Sequence, residues 1–412
     1  MKSILFLCPN MFIGGAETLL SRQTKFLIDK DYYVDVLLEH SGDSLDLLSH
    51  VTRIKVLNKP FFHLYDRSEW RIFFRNIEHS YDAIIGMGLR PGFWASLIQQ
   101  RLIEEGNYSP KLLIGAYHPR EITLSGRNRE SYWLSYWMKE CIYDSSLLFM
   151  SNQVKSSIEK DCETTFKTAC VCPIAVDGGP FSEVNRKPVK FRIVSVGRLE
   201  PWKTYNYYMI DVINKLHKMG YPVTYDIYGD GAERNKIQGI INKYGLGNTI
   251  RLHGNIPYDH FPAVLSTAYA FIGMGTSMIE AGFAKVPSIV AIDNFALPLS
   301  YGYLYHLPLY TCGELLQKPP EVEVTQLLIE LFSMNQVQYQ SECEKIYQYV
   351  QEYSMDNIMS IWQRFLNLSP NILRSPNKNK FIHSLAYIYN RFRNIKLMLV
   401  DKSFAIGQMK HG

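Results

Sequence analysis

The sequence predicts an α/β fold of two doubly wound units in tandem, followed by a basic helical tail. Short apolar runs alternate with helical segments, the pattern of parallel sheets covered on both faces. The alternation restarts after residue 180. The junction between the two series holds Pro173, Gly178, Gly179, Pro180 and Pro188, all turn residues. The expected divisions are 1–173, 174–350, a helix at 351–370 crossing back to the first unit, and a tail at 371–412.

Each element follows from local pattern. Ile4 to Cys8 is a continuous apolar run, hence a buried strand. Pro9 to Gly15 is a loop, and Ala16 to Ile28 has helical periodicity. Tyr33 to Leu38, Val51 to Leu57, Ala83 to Gly86 and Leu112 to Gly115 read as further strands separated by helical segments. In the second series, Phe191 to Val196, Val223 to Tyr228, Ile250 to Leu252, Ala268 to Ile272 and Ser288 to Ile292 are strands, with helices at 204–219 and 232–244.

The 412 residues suffice for two or three domains, each with its own core. The hydrophobic fraction of 47% and charged fraction of 20% fit a globular chain and argue against disorder. The net charge of +5 is unevenly placed. Residues 371–412 carry eight basic residues against Asp401, a net +7, which leaves −2 for residues 1–370. A nucleic-acid-binding body is therefore not expected. Seven scattered cysteines without a C-x-x-C pair fit a reducing cytosol and no disulfide or zinc framework. Met1-Lys2-Ser3 runs straight into a strand without the features of a signal peptide, and the long apolar stretch 268–292 is broken by Glu280, Lys285 and turn residues.

The chemistry-bearing residues fall in loops after strands, where open parallel sheets bind ligands. Gly14-Gly15 precedes the first helix, where glycine lets backbone amides approach a phosphate or sugar; a tight turn explains the pair equally well. The dinucleotide pattern G-x-G-x-x-G is absent, which disfavours an NAD-dependent oxidoreductase. Arg198 and Lys203 share one strand-to-helix loop and could clamp a diphosphate. Tyr228-Gly229-Asp230-Gly231 and His253-Gly254-Asn255 are turns at the same edge, suited to a base and ribose. Gly273 to Ala281 combines a glycine-containing loop, a helix start and Glu280, one turn into that helix. Thr276 or Ser277 also suits the N-cap.

Together, Gly14-Gly15-Ala16-Glu17, Val196-Gly197-Arg198-Leu199 with Lys203, Tyr228-Gly229-Asp230-Gly231, His253-Gly254 and Glu280-Ala281 with Ala284-Lys285-Val286-Pro287 resemble the retaining family-4 glycosyltransferases with the GT-B fold, over residues 3–366. The resemblance implies two Rossmann-like domains facing a cleft, the first for acceptor and the second for a nucleotide-sugar donor. It implies that Arg198 and Lys203 neutralise the donor diphosphate and that Glu280 binds the nucleotide ribose. Backbone amides of Gly275, Thr276 and Ser277 would contact phosphate, with Gly14, Gly15, Gly229 and Gly254 also lining the donor site. His118 would face the donor sugar. The family usually has a second glutamate eight positions before the first; here that position is Ile272. The implied reaction is displacement of a nucleoside diphosphate with retention, through an oxocarbenium-like transition state. With no Asp-x-Asp motif at a sheet edge, neither a metal nor a cofactor is expected. The implied setting is bacterial surface polysaccharide synthesis. A GT-B sugar-nucleotide epimerase or hydrolase and a non-catalytic relative are the alternatives.

Two basic-aromatic stretches, Phe61 to Tyr65 with Trp70 to Arg75, and Arg127 to Lys139, suit either core packing or a lipid-linked acceptor. In the tail, Phe381, Leu385, Ile388, Phe392, Ile395 and Leu399 fall along one helical line flanked by cations. A helix on the inner face of the cytoplasmic membrane and a helix docked on the body both fit this pattern.

Overall fold

The computed structural model describes residues 2–12, 14–74, 80–106, 108–122 and 129–408. They divide into two compact units: residues 1–172 with 361–412, and residues 173–360.

The first unit alternates strands and helices: β1 (Ser3–Cys8), α1 (Gly15–Asp29), β2 (Tyr33–Leu38), β3 (Arg53–Val56), α2 (Arg67–Phe74), β4 (Ala83–Met87), α3 (Leu89–Glu105), β5 (Lys111–Ala116), α4 (Arg129–Glu140), β6 (Leu147–Phe149), α5 (Asn152–Cys162) and β7 (Cys170–Val171). The strands form one parallel sheet in the order β3-β2-β1-β4-β5-β6-β7. Every residue of β1 is buried, as expected for a strand covered on both faces. The order reverses between β1 and β4, so the loops after these strands open the crevice where such sheets take ligands.

The second unit contains α6 (Gly179–Ser182), β8 (Arg192–Val196), α7 (Tyr205–Lys218), β9 (Thr224–Tyr228), α8 (Arg234–Lys243), β10 (Ile250–Gly254), α9 (Phe261–Ser266), β11 (Ala270–Gly273), α10 (Thr276–Phe283) and β12 (Ser288–Val290). A small hairpin of β13 (Leu299–Ser300) and β14 (Val322–Glu323) follows, then α11 (Val324–Ser333) and α12 (Gln336–Val350). Its five-stranded sheet is parallel throughout, in the order β10-β9-β8-β11-β12. One face packs Ile193, Tyr225, Ile227 and Ile272 beneath α7, α8 and α11. The other packs Val194, Phe271 and Val290 against α9 and α10. Each such side chain contributes about 1.5–3 kcal/mol on burial.

Helix α13 (Met355–Leu368) carries the chain back: its residues from Ile361 onward belong to the first unit, where Trp362 stacks on Phe6 at 6.4 Å. Helix α14 (Pro376–Gln408) then packs beside α3, α4 and the turn Phe61–Tyr65. Its docked face is not the apolar line read from the sequence. Asn379, Ile382, His383 and Ala386 are the buried residues, whereas Phe381, Leu385, Ile388 and Phe392 are exposed. The buried face is held by polar contacts: Asn379 Nδ2 donates to Gln100 Oε1 at 2.8 Å, and His383 Nε2 lies 3.1 Å from Ser96 Oγ. Burial drives the His383 pKa well below the usual histidine value, so the ring docks neutral.

The two basic-aromatic stretches are mostly core: Phe61, Phe62, Leu64, Trp70 and Trp137 are buried, while Tyr132 and Tyr136 are exposed. Residues 75, 127 and 128, together with the side chains of Phe73 and Phe74, lie outside the described set.

Candidate functional site

In the second unit the strand order reverses between β8 and β11. The loops leaving these strands are 197–204 and 274–275, and they are tied together: Ser277 Oγ donates to the carbonyl of Val196 at 2.9 Å. Neighbouring turns are packed backbone against backbone. Gly229 has φ +132°, and a Cβ there would lie 2.1 Å from the Gly197 carbonyl oxygen. Its N–H donates to the Gly254 carbonyl at 2.7 Å. Gly229 and Gly254 thus shape the sheet edge through backbone approach.

Lys203 and Arg198 occupy this edge in different states. Arg198 is exposed. Lys203 is only 9% exposed, and its Nζ lies 5.4 Å from the Trp202 ring centroid. Burial, reinforced by the Arg198 charge and opposed by Glu200 and Asp293, lowers its pKa from the ordinary 10.5 to about 8. The loop is anchored from outside: Asn294 N donates to the Trp202 carbonyl at 2.8 Å, and Thr204 Oγ1 to the Phe295 carbonyl at 2.6 Å. Two cations five residues apart at one sheet edge, one of them largely buried, make a receptor for a strong anion.

Helix α10 starts beside them. Its N-cap is Gly275, at φ +72°, and not Thr276 or Ser277. The Gly275 amide is already donated to the Cys312 carbonyl at 2.6 Å, so it cannot also take a phosphate oxygen. The amides of Thr276 and Ser277 stand at the positive end of the helix. Glu280 is 3% exposed and accepts a hydrogen bond from Tyr258 Oη at 2.7 Å. Ile272 lies inside β11, paired in register with Ile289 and fully buried. The position usually held by a sugar-reading carboxylate is here a core residue.

In the first unit, Gly14 is the N-cap of α1 with extended backbone, and a Cβ on it would meet Glu17 Oε2 at 2.4 Å. Gly15 faces open space. His118 follows β5; its Nδ1 accepts the Arg120 amide at 3.0 Å, which places the proton of the neutral ring on Nε2. The loop is fixed by Glu121. One carboxylate oxygen accepts the amides of Tyr117 and His118 at 2.6 and 3.1 Å, and the other accepts the first amide of α3, Leu89, at 2.7 Å. Burial raises the Glu121 pKa, and these three donors oppose the rise.

Sequence reasoning missed Glu121, Tyr258 and Asp293. Each acts through a partner distant in sequence or on an unrelated loop, so no local spacing exposes it. Among the described residues, no group of three or more His, Cys, Asp or Glu is arranged to hold a metal ion.

Three comparisons bear on this geometry. The chain is 27% identical over 203 residues to the GtfA subunit of UDP-N-acetylglucosamine–peptide N-acetylglucosaminyltransferase from Streptococcus agalactiae, covering 46% of this chain and 38% of that protein. It is 24% identical over 196 residues to poly(ribitol-phosphate) alpha-N-acetylglucosaminyltransferase from Staphylococcus aureus strain COL, covering 45% and 38%. The matched part thus spans well under two thirds of both relatives. The crystal structure of Anabaena HepE in complex with UDP and glucose superposes with a TM-score of 0.64 at 17% identity, covering 89% of this chain and all of that one. Residues 171–297, which hold Arg198, Lys203 and Glu280, match the family described as Glycosyl transferases group 1, and the chain has the GT-B fold.

Proposed function

We propose that this protein transfers a sugar from a nucleoside diphosphate donor to a glycan or lipid-linked acceptor, with retention at the anomeric carbon, in bacterial surface polysaccharide synthesis (capsule, O-antigen or exopolysaccharide). The observation that carries the reading is the pair of cations in one loop at the switch point of a parallel sheet: Lys203, largely buried with its pKa lowered to about 8, and the exposed Arg198. A diphosphate is the ligand class that compensates both charges. The relatives named for N-acetylglucosamine transfer, and the UDP in the HepE structure, favour UDP-N-acetylglucosamine as the first donor to test.

In this reading the negative charge that grows on the leaving diphosphate is met by Arg198, Lys203 and the amides of Thr276 and Ser277. These groups are in place before reaction and need no reorganisation. Glu280, held by Tyr258, accepts the ribose hydroxyls. His118, with its proton on Nε2, is assigned a hydrogen bond to the transferring sugar. The chain itself supplies the cations, and the reaction proceeds without a metal ion. The enzyme works at the inner face of the cytoplasmic membrane.

The test is release of nucleoside diphosphate from a panel of nucleotide sugars in the presence of a lipid-linked acceptor mixture. Arg198→Ala and Lys203→Ala are each expected to lose about 100-fold or more of turnover while circular dichroism stays unchanged. Wild-type turnover in both variants refutes the diphosphate assignment.

A further inference from the structure

Up to Arg393 helix α14 presents two opposite faces, and among the described residues one is buried and the other exposed. Asn379, His383 and Ala386 pack on the first unit. At 100° per residue, Phe381, Leu385, Ile388 and Phe392 lie within about 60° of one another, on the far side of the helix. They are 60%, 41%, 49% and 69% exposed. Helix α4 packs beside α14, with Trp133 edge-on to Tyr389 at 4.8 Å. No helix among the described residues is long and apolar enough to cross a membrane.

Charge identifies what this face meets. The cations nearest the body are neutralised within the chain: Lys378 by Glu140, Lys380 by Glu104 and Arg391 by Asp66. From Arg393 onward the sequence holds Arg393, Lys396, Lys402 and Lys410 against the single Asp401. The helix continues to Gln408, and the apolar period continues in the sequence at Ile395 and Leu399. An apolar line followed in the sequence by an excess of cations fits a surface that is apolar beneath and anionic above.

We propose that the outer face of α14 is the surface on which this protein lies in the plane of an anionic lipid bilayer. The docked face fixes the helix to the first unit, so the membrane holds the folded unit and not merely a flexible tail. This rests on the membrane placement proposed above and assigns it to named residues.

The experiment is co-sedimentation of the full chain with vesicles of phosphatidylcholine containing phosphatidylglycerol, and with phosphatidylcholine alone. The protein is expected to partition onto the anionic vesicles and to be released by salt. Phe381→Gln, Leu385→Gln, Ile388→Gln and Phe392→Gln combined should lower partitioning at least about tenfold without changing helix content or melting temperature, because none of the four is buried. Arg393→Gln with Lys396→Gln should lower it about 30-fold. Equal partitioning of wild type and both variants overturns the proposal. So does a wild-type dimer in solution that the four-glutamine variant converts to monomer, since a second copy would then be the occupant. Nucleoside diphosphate release with a water-soluble acceptor should be unchanged in both variants. Its absence in wild type with vesicle binding intact would strike the transferase reading and leave this one standing.

Discussion

Replacing Lys203 by Met separates the cost of this cation from its use. In the folded protein the lysine pKa is lowered from 10.5 to about 8. That difference corresponds to about 3 kcal/mol of penalty on the charged form. Below pH 8 the lysine is protonated in both the folded and unfolded chains, so the whole penalty weighs on the fold. Between pH 8 and 10.5 the unfolded chain binds a proton that the folded one has lost, so stability rises with pH through that window. Above 10.5 both forms are neutral and the penalty is gone. Met fills a similar volume without charge. Lys203→Met should therefore be more stable than wild type at neutral pH, by up to about 3 kcal/mol, and this advantage should vanish in strong alkali. Turnover should fall about 100-fold or more at every pH. In wild type, kcat/KM should decline tenfold per pH unit above about 8, the Lys203 value, while kcat at saturating donor holds to higher pH because bound diphosphate restores the proton. Calorimetry of the second unit and a nucleoside diphosphate release assay measure both quantities. A Met variant that is less stable at neutral pH, or that turns over normally, refutes the reasoning.

Three further outcomes follow from the structure. Gly229→Ala places a Cβ 2.1 Å from the Gly197 carbonyl at φ +132°, so it should destabilise the second unit by more than about 1 kcal/mol and weaken donor binding through the Arg198 loop. Gly15→Ala meets nothing within 4 Å, so denaturant melts should show no loss of stability, and any loss of turnover reports ligand contact. Because the His383 pKa is depressed by burial, the undocked ring binds a proton that the docked ring refuses; docking of α14 should weaken as pH falls below 6.5, seen as faster hydrogen exchange in that helix.

The fold was legible because parallel strands buried on both faces are continuous apolar runs. β2 matches the sequence reading residue for residue, and β1, β4 and β5 differ by one or two. The strands that escaped were β6, with three residues, and β7, β13 and β14, with two each: too short to show a period, they exist only through pairing, β6 with β5 and β7, and β13 with β14. The sheet-edge cations were legible because they sit in a loop directly after a strong strand. The docked face of α14 was not. Periodicity measures apolar side chains, and it found the outer line. The inner face is Asn379, His383 and Ala386 with Ile382, whose fit depends on Ser96 and Gln100, some 280 residues earlier. Ile272 was legible too: the apolar run places it at the end of a strand, and β11 runs through Gly273 and holds position 272 in the core.

These buried polar groups fall into two kinds, and the difference bears on function. His383 is neutral, with Nε2 3.1 Å from Ser96 Oγ and its ring tilted against Phe93 at 3.9 Å; its buried Nδ1 has no partner among the described residues, and the ring specifies how one helix seats. Glu121 is absorbed, each oxygen taking backbone amides. Lys203 is charged at neutral pH at a cost: burial and the Arg198 charge weigh on the ammonium more than Glu200 and Asp293 relieve it. A bound anion adds the negative charge that offsets this cost, so the cation that the fold relieves only in part is the one that points to the ligand.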